Sequence, residues 1–208
     1  MNKIQKLNSR TLALGIKHLK KVDSDFTKII RARDDQIKTF KKIEGFEGLI
    51  SLIVEQQLSV ASAKAIFNRV KLLCGDFEAT SFLQINEDEL KGTGLSRQKV
   101  LYCRNVAKAV VNKTLDFKKL EKMPDKEVVE ILVKIKGIGE WTAQCYLMAC
   151  MKRLDAWPSS DLGLIVAIQK IKKIKERPKS LTIEKMAEPW KPYRSIAALL
   201  LWSTYDKD

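Results

Sequence analysis

A few residues in this chain have types and spacings that can do chemistry. Asp161 stands between Pro158-Ser159-Ser160 and Leu162-Gly163-Leu164, at the head of an apolar run. An aspartate there caps a helix. A fixed carboxylate in a water-poor site also stabilises developing positive charge and can orient or deprotonate a water molecule. Gly137-Ile138-Gly139 joins two runs with helical spacing. Glycines at such a joint admit positive φ and close approach. The helix beyond them opens with free N–H groups and a positive dipole end, a seat for an anion. The same glycines equally serve a tight helix–helix turn. Gln56-Gln57 breaks two apolar helical faces and reads on its own as a polar turn. Trp141 and Trp202 offer aromatic faces, either for the core or for a cation, at about 0.5–2 kcal/mol per cation–π contact.

The composition limits what these groups can serve. The chain has 208 residues, 45% of them hydrophobic, enough for one globular domain or two small lobes. Its net charge is +14, from 39 basic and 25 acidic side chains spread from Lys3 to Lys207. That balance fits a lysine-rich soluble protein, or one whose partner is a polyanion such as nucleic acid. The four cysteines, Cys74, Cys103, Cys145 and Cys150, form no CxxC pair and read as free thiols in a reducing compartment. The N-terminus has no signal-peptide core, and no stretch approaches the roughly 20 apolar residues of a membrane span. The expected setting is intracellular: cytoplasm or nucleoid, or the nucleus in a eukaryote.

The elements that must position these residues read as helices throughout. Leu12, Ile16, Leu19 and Val22 share one face, and Phe26, Ile29 and Ile30 continue it after a break at Asp23-Ser24-Asp25. His18, the single histidine, reads as a surface residue. Phe46, Leu49, Ile50, Ile53 and Val54 make the face that stops at Gln56-Gln57, and Ser59 caps the helix that follows, closed by Gly75. Leu90-Lys91-Gly92-Thr93-Gly94-Leu95 echoes the main glycine joint as a second, structural turn, and Ser96 caps the next helix. A helix from Pro124-Asp125 enters the main joint, and Trp141 to Ala149 leaves it. After Asp161 come a helix over 162–171, a solvated lysine-rich connection over 170–179, a helix capped by Ser180 or Thr182, and a last helix over 196–202. No strand pattern persists, so the expected fold class is all-α.

Leu132-x-x-Ile135-x-Gly137-Ile138-Gly139-x-Trp141-Thr142-Ala143, followed by Pro158-x-x-Asp161-x-Gly163-Leu164, resembles the signature of the helix-hairpin-helix DNA glycosylases (HhH-GPD superfamily). It is similar in particular to the branch of 3-methyladenine DNA glycosylase II. Three further segments match that branch: Gln56-Gln57-Leu58-Ser59, Gly94-Leu95-Ser96-Arg97-Gln98-Lys99, and Trp190-Lys191-Pro192-Tyr193-Arg194-Ser195. The matched segments span about Phe46 to Tyr205.

The resemblance implies two helical lobes, 45–153 with the wedge and hairpin and 1–44 plus 154–208 with the aspartate, and an active site in the cleft between them. It implies a minimal form without the N-terminal β lobe of many relatives. Asp161 would be the catalytic residue, facing the sugar of a flipped, alkylated purine in double-stranded DNA. Trp141 and Trp202 would line the base pocket. The tyrosine expected one turn after Trp141 falls at Cys145, with Tyr146 adjacent, so the pocket shape departs from the family pattern. Gln57 would be the wedge, with Gln56 beside it, and Gly137, Gly139 and Thr142 would face a phosphate. Backbone carbonyls of Val133, Ile135 and Ile138 would hold a monovalent cation, Na+ or K+. No other cofactor is implied, and with no cysteine after Cys150 no iron–sulfur cluster is expected. Relatives that cut the strand carry a nucleophilic lysine where this chain has Trp141, and the hairpin reading puts Lys134 and Lys136 on another turn. The implied enzyme is therefore monofunctional, releasing the base from DNA and leaving an abasic site, and it acts as a monomer. Deaminated or oxidised bases, and a non-catalytic DNA-binding role, remain as alternatives.

Overall fold

A computed structural model describes residues 4–32, 37, 39–40 and 42–205. Among them the chain is helical, with one isolated β-bridge between Lys6 and Arg153 and no longer strand. No helix among the described residues is long and apolar enough to cross a membrane. The chain divides into two compact units, 42–151 and 1–41 with 152–208.

The unit 42–151 is built on α3 (Phe46–Glu55), whose residues Leu49, Ile50, Leu52, Ile53 and Val54 are all buried. A helix apolar on every side must lie inside its unit. Against it pack α4 (Val60–Cys74), α7 (Arg97–Val111) and α10 (Glu140–Cys145), with α5 (Ala79–Gln84) and α6 (Glu87–Gly92) on α7, α9 (Asp125–Leu132) on α10, and the short α8 (Phe117–Leu120) between α7 and α9 in sequence. Helix α10 passes into a π-helical stretch, Tyr146–Cys150, that is buried throughout. Ser59 and Ser96 cap α4 and α7 by accepting the N–H groups of Ser62 and Lys99. The four cysteines are free and buried. Burial pushes the thiols of Cys103 and Cys150 up to about 12, and raises that of Cys74.

The other unit contains α1 (Ser9–Val22), α2 (Ser24–Arg31), α11 (Leu162–Ile171), α12 (Ser180–Ala187) and α13 (Arg194–Tyr205). Its core joins Leu19, Phe26, Ile30, Ile168 and Leu200 to Trp190, which meets Phe26 and Trp157 edge-on at 5.2 and 5.4 Å. Asp23 caps α2 and also accepts the indole N–H of Trp190 at 3.1 Å. Lys172 reaches both Asp23 and Asp25, at 2.7 and 3.0 Å. Burial alone would lower the Lys172 ammonium, but these two carboxylates outweigh it and raise it. His18 is half-buried rather than at the surface: its ring lies 5.4 Å from that of Tyr193, and Nε2–H donates to the Pro189 carbonyl at 3.0 Å. The expected cap at Ser180 or Thr182 does not form, because α12 starts one residue earlier with Lys179 at its N-cap.

The two units differ in charge. The unit 1–41 with 152–208 holds 23 basic and 11 acidic side chains, against 16 and 14 in 42–151. The basic excess that runs along the sequence therefore belongs almost wholly to one half of the fold.

Candidate active site

Asp161 is the N-cap of α11, half-buried, and its geometry is tightly specified. Oδ1 accepts the Leu164 N–H at 2.9 Å and the indole N–H of Trp202 at 2.8 Å. Charge-assisted bonds of this kind are roughly twice as strong as neutral ones. Gly163 leaves room for the pair: a Cβ there would lie 3.2 Å from both Asp161 Oδ1 and Trp202 Cδ1. Phe40 meets the Trp202 ring edge-on at 5.8 Å. Trp202 thus fixes the carboxylate through its nitrogen, a duty that the expectation of a pocket wall did not include.

The approach to Asp161 is locked as well. Arg194 forms a fork on Asp155, with Nε to Oδ1 and Nη2 to Oδ2 both at 2.9 Å, and reaches Glu184 at 3.1 Å. Beside it, the fully buried Ser195 hydroxyl accepts the Ala156 N–H at 3.0 Å and donates to the Ala156 carbonyl at 3.1 Å. The Arg194-Ser195 pair at the end of the tryptophan–proline motif therefore ties α13 to the strand of chain leading into Asp161. Sequence reading recognised that motif but not its job. The signal was an arginine–serine pair with no local partner.

In the unit 42–151 the hairpin over 133–139 connects α9 to α10. Its two glycines do different things. Gly137 has φ +109, and a Cβ there would come within 2.2 Å of the Tyr102 ring. Gly139 has φ −92 and ψ 176, ordinary extended backbone, and nothing lies within 4 Å of where its Cβ would be. One glycine lets the hairpin sit on α7, and the other leaves an open, exposed backbone surface at the N-cap of α10. Asn105 adds a bond from Nδ2 to the Lys136 carbonyl at 3.1 Å.

Gln56, expected among the DNA contacts, is turned inward instead. Its Nε2 donates to the Gly137 carbonyl at 3.0 Å and to the Thr142 hydroxyl at 2.9 Å. Thr142 is 1% exposed, so its hydroxyl also serves the hairpin rather than an outside ligand. Gln57 is exposed and carries φ +55, a left-handed backbone that non-glycine residues seldom adopt. Trp141 is half-buried in the first turn of α10. Tyr146 does not flank a pocket. It is 1% exposed, its hydroxyl accepts the Gly45 N–H at 2.9 Å, and its ring packs on Phe117 at 5.9 Å. Burial raises its phenol above the usual value. Cys145 is buried beside it.

Among the described residues no group of three or more His, Cys, Asp or Glu is placed to hold a metal ion. Backbone carbonyls are the remaining donors. Ile135 O accepts the Ile138 N–H at 2.9 Å, while the carbonyls of Val133 and Ile138 receive no backbone N–H from the described residues. Hard oxygen donors of this kind fit an alkali cation.

The model of the HhH-GPD superfamily base excision DNA repair proteins matches residues 50–192, and the chain belongs to that superfamily. It is 31% identical over 192 residues to the alkylbase DNA glycosidase-like protein mag2 of Schizosaccharomyces pombe, covering 89% of this chain and 90% of that one. Among solved structures it is similar to the 3-methyladenine DNA glycosylase Mag1 of the same yeast in complex with abasic DNA. That match has a TM-score of 0.88 and 25% identity, over 93% of this chain and 97% of the other. A DNA-3-methyladenine glycosidase from Bacillus halodurans gives 0.79 and 30%, over 99% and 93%.

Proposed function

We propose that this protein is a monofunctional DNA glycosylase that removes alkylated purines such as 3-methyladenine and 7-methylpurines from duplex DNA. The observation that carries this reading is the Asp161 carboxylate, held by Leu164 N–H and Trp202 Nε1–H in a chain of the HhH-GPD superfamily. The relatives named as 3-methyladenine DNA glycosylases support the choice of lesion. A positively charged alkylated base leaves with the electron pair of its N-glycosidic bond, and positive charge builds on the sugar. A preorganised carboxylate stabilises that charge without reorganising. Water then adds to the anomeric carbon, its proton passes toward Asp161, and an abasic site remains. Trp141 stacks on the cationic base, and Gln57 enters the hole that the flipped nucleotide leaves, offsetting an unstacking cost of a few kcal/mol.

The hairpin grips a phosphate through the backbone of Gly137 and Gly139, with the buried Thr142 supporting it from within. A monovalent cation on the carbonyls of Val133, Ile135 and Ile138 supplies further positive charge there when bound. The protein works as a monomer on damaged double-stranded DNA. With Trp141 where strand-cutting relatives have lysine, no Schiff base forms. Incubation with methylated duplex DNA tests the whole reading. Free 3-methyladenine or 7-methylpurine is expected, with strand breaks only after alkali. Breaks without alkali would refute the single-function mechanism, and tight binding without base release would reduce the protein to a binding module.

A further inference from the structure

We propose that Lys99 and Gln56 are positioning residues that hold Gln57 in its left-handed conformation and fasten its loop to the hairpin, so that wedge and hairpin meet DNA as one body. This rests on the glycosylase reading and on Gln57 as the wedge. At the end of α3 the last carbonyls, like those of any helix, have no partner within it. Lys99 supplies one: its ammonium donates to Val54 O at 2.7 Å and to Gln56 O at 2.6 Å. Lys99 lies in the first turn of α7, whose dipole disfavours a cation, but its long stem delivers the charge to the C-terminal end of α3, where a cation is favoured. Burial lowers its pKa, so the two carbonyls must compensate for lost water.

Gln56 is then held at both ends. Lys99 binds its carbonyl, and its side-chain amide bridges Gly137 O and Thr142 Oγ1. The next residue, Gln57, carries the strained φ of +55. Strain of this sort persists only where the surroundings over-determine it. A purely structural brace would stand over a packed loop, yet Gln57, Leu58, Ser59 and Val60 are all exposed, Val60 to 81%. The clamp fixes an exposed loop with an apolar tip, and such a loop has no core of its own to stabilise.

The test compares Lys99→Met, Lys99→Arg, Gln57→Ala and the Lys99→Met/Gln57→Ala double variant. Single-turnover excision of methylated base is measured with 2-aminopurine fluorescence beside the lesion, thermal unfolding, and hydrogen exchange of residues 56–59. Lys99→Met is expected to slow extrusion and excision by about 10- to 100-fold, the scale set by a misplacement of around an ångström. Affinity for DNA with an abasic analogue, which needs no extrusion, should change little. Exchange at 56–59 should rise, Lys99→Arg should recover part of the rate, and the double variant should be no slower than Gln57→Ala alone. Additive losses in the double variant would overturn the proposal. So would unchanged exchange in the loop, or a rate loss that only tracks a lower melting temperature. If the wild type releases no base from any lesion, the glycosylase reading falls. Loop exchange then decides the brace alone, which stands if Lys99→Met frees residues 56–59 and fails if it does not.

Discussion

Replacing Asp161 separates its chemistry from its role in the fold, because Oδ1 takes both structural hydrogen bonds and an amide can keep that oxygen while losing the charge. Asp161→Asn keeps an acceptor at Oδ1, so the bonds from Leu164 N–H and Trp202 Nε1–H survive. What is lost is the charge, worth about 0.3–1 kcal/mol against the helix dipole. Asp161→Ala removes the cap, at about 1 kcal/mol, and leaves the half-buried Trp202 N–H unpaired, at about 1–3 kcal/mol. The alanine variant should therefore be about 2–4 kcal/mol less stable than wild type, and the asparagine variant no more than about 1. Activity should order differently. Both variants lose the charge that the glycosylase reading sets against the sugar and should release base at least about 10²–10³ times more slowly, the scale for removing one preorganised electrostatic group. Chemical denaturation and single-turnover base release on methylated DNA give the two rankings. If Asp161→Asn retains more than about a tenth of wild-type excision while folding normally, the carboxylate does not stabilise the transition state and the assignment is wrong.

Other expectations follow from single contacts. Trp202→Phe keeps the ring and removes the donor to Asp161, so excision should fall by about tenfold, in line with one charge-assisted bond of about 1.5–3 kcal/mol, while methylated-DNA affinity holds. Gly137→Ala meets Tyr102 and a φ that L residues avoid, so it should destabilise by at least about 2 kcal/mol in thermal unfolding. Gly139→Ala has open space and should stay within about 0.5 kcal/mol of wild type, yet weaken duplex binding in a gel-shift assay. The buried thiols should not react with a thiol reagent until the protein unfolds, whereas rapid labelling of the native protein would contradict their burial. Hydrogen bonds from Lys28 and Lys172 hold Asp25 below its ordinary 3.8, so its support for the fold is present above that pH and is lost as pH falls through the lowered value. Lys172 has the opposite sign, its support lasting until pH rises past its raised value, above 10.5. Unfolding curves for Asp25→Asn should show a flatter acid limb than wild type.

Features set by neighbouring residues were legible in the sequence. Ser59, Ser96 and Asp161 cap the helices that follow them because a cap reaches only two or three residues ahead. The all-α class was legible for the same reason, through apolar spacing. Contacts between distant residues were not. His18 looked like a surface residue because its partner, Pro189, lies 171 positions away. The amide of Gln56 finds Gly137 81 positions on, so a polar turn and a clasp look alike in one dimension. Lys99 and Arg194 are ordinary basic residues until their carbonyl and carboxylate partners are seen. Counting one α-helical turn from Trp141 put Cys145 at the pocket, with Tyr146 adjacent, but both are buried, and the tyrosine's hydroxyl partner, Gly45, lies 101 positions away.

The division of charge between the units bears on how such a protein finds a rare lesion. Counterion release scales with the number of phosphates neutralised, so removing lysines from the half with 23 basic and 11 acidic side chains is expected to lower the salt dependence of duplex binding more than the same change in the other half. The nearly balanced half, which carries the hairpin and the strained loop, offers backbone dipoles that salt screens less. Long-range attraction to the duplex and the local hold on one strand would then draw on different parts of the chain. Raising ionic strength is then expected to shorten the protein's stay on intact DNA more than it weakens the hold of the hairpin.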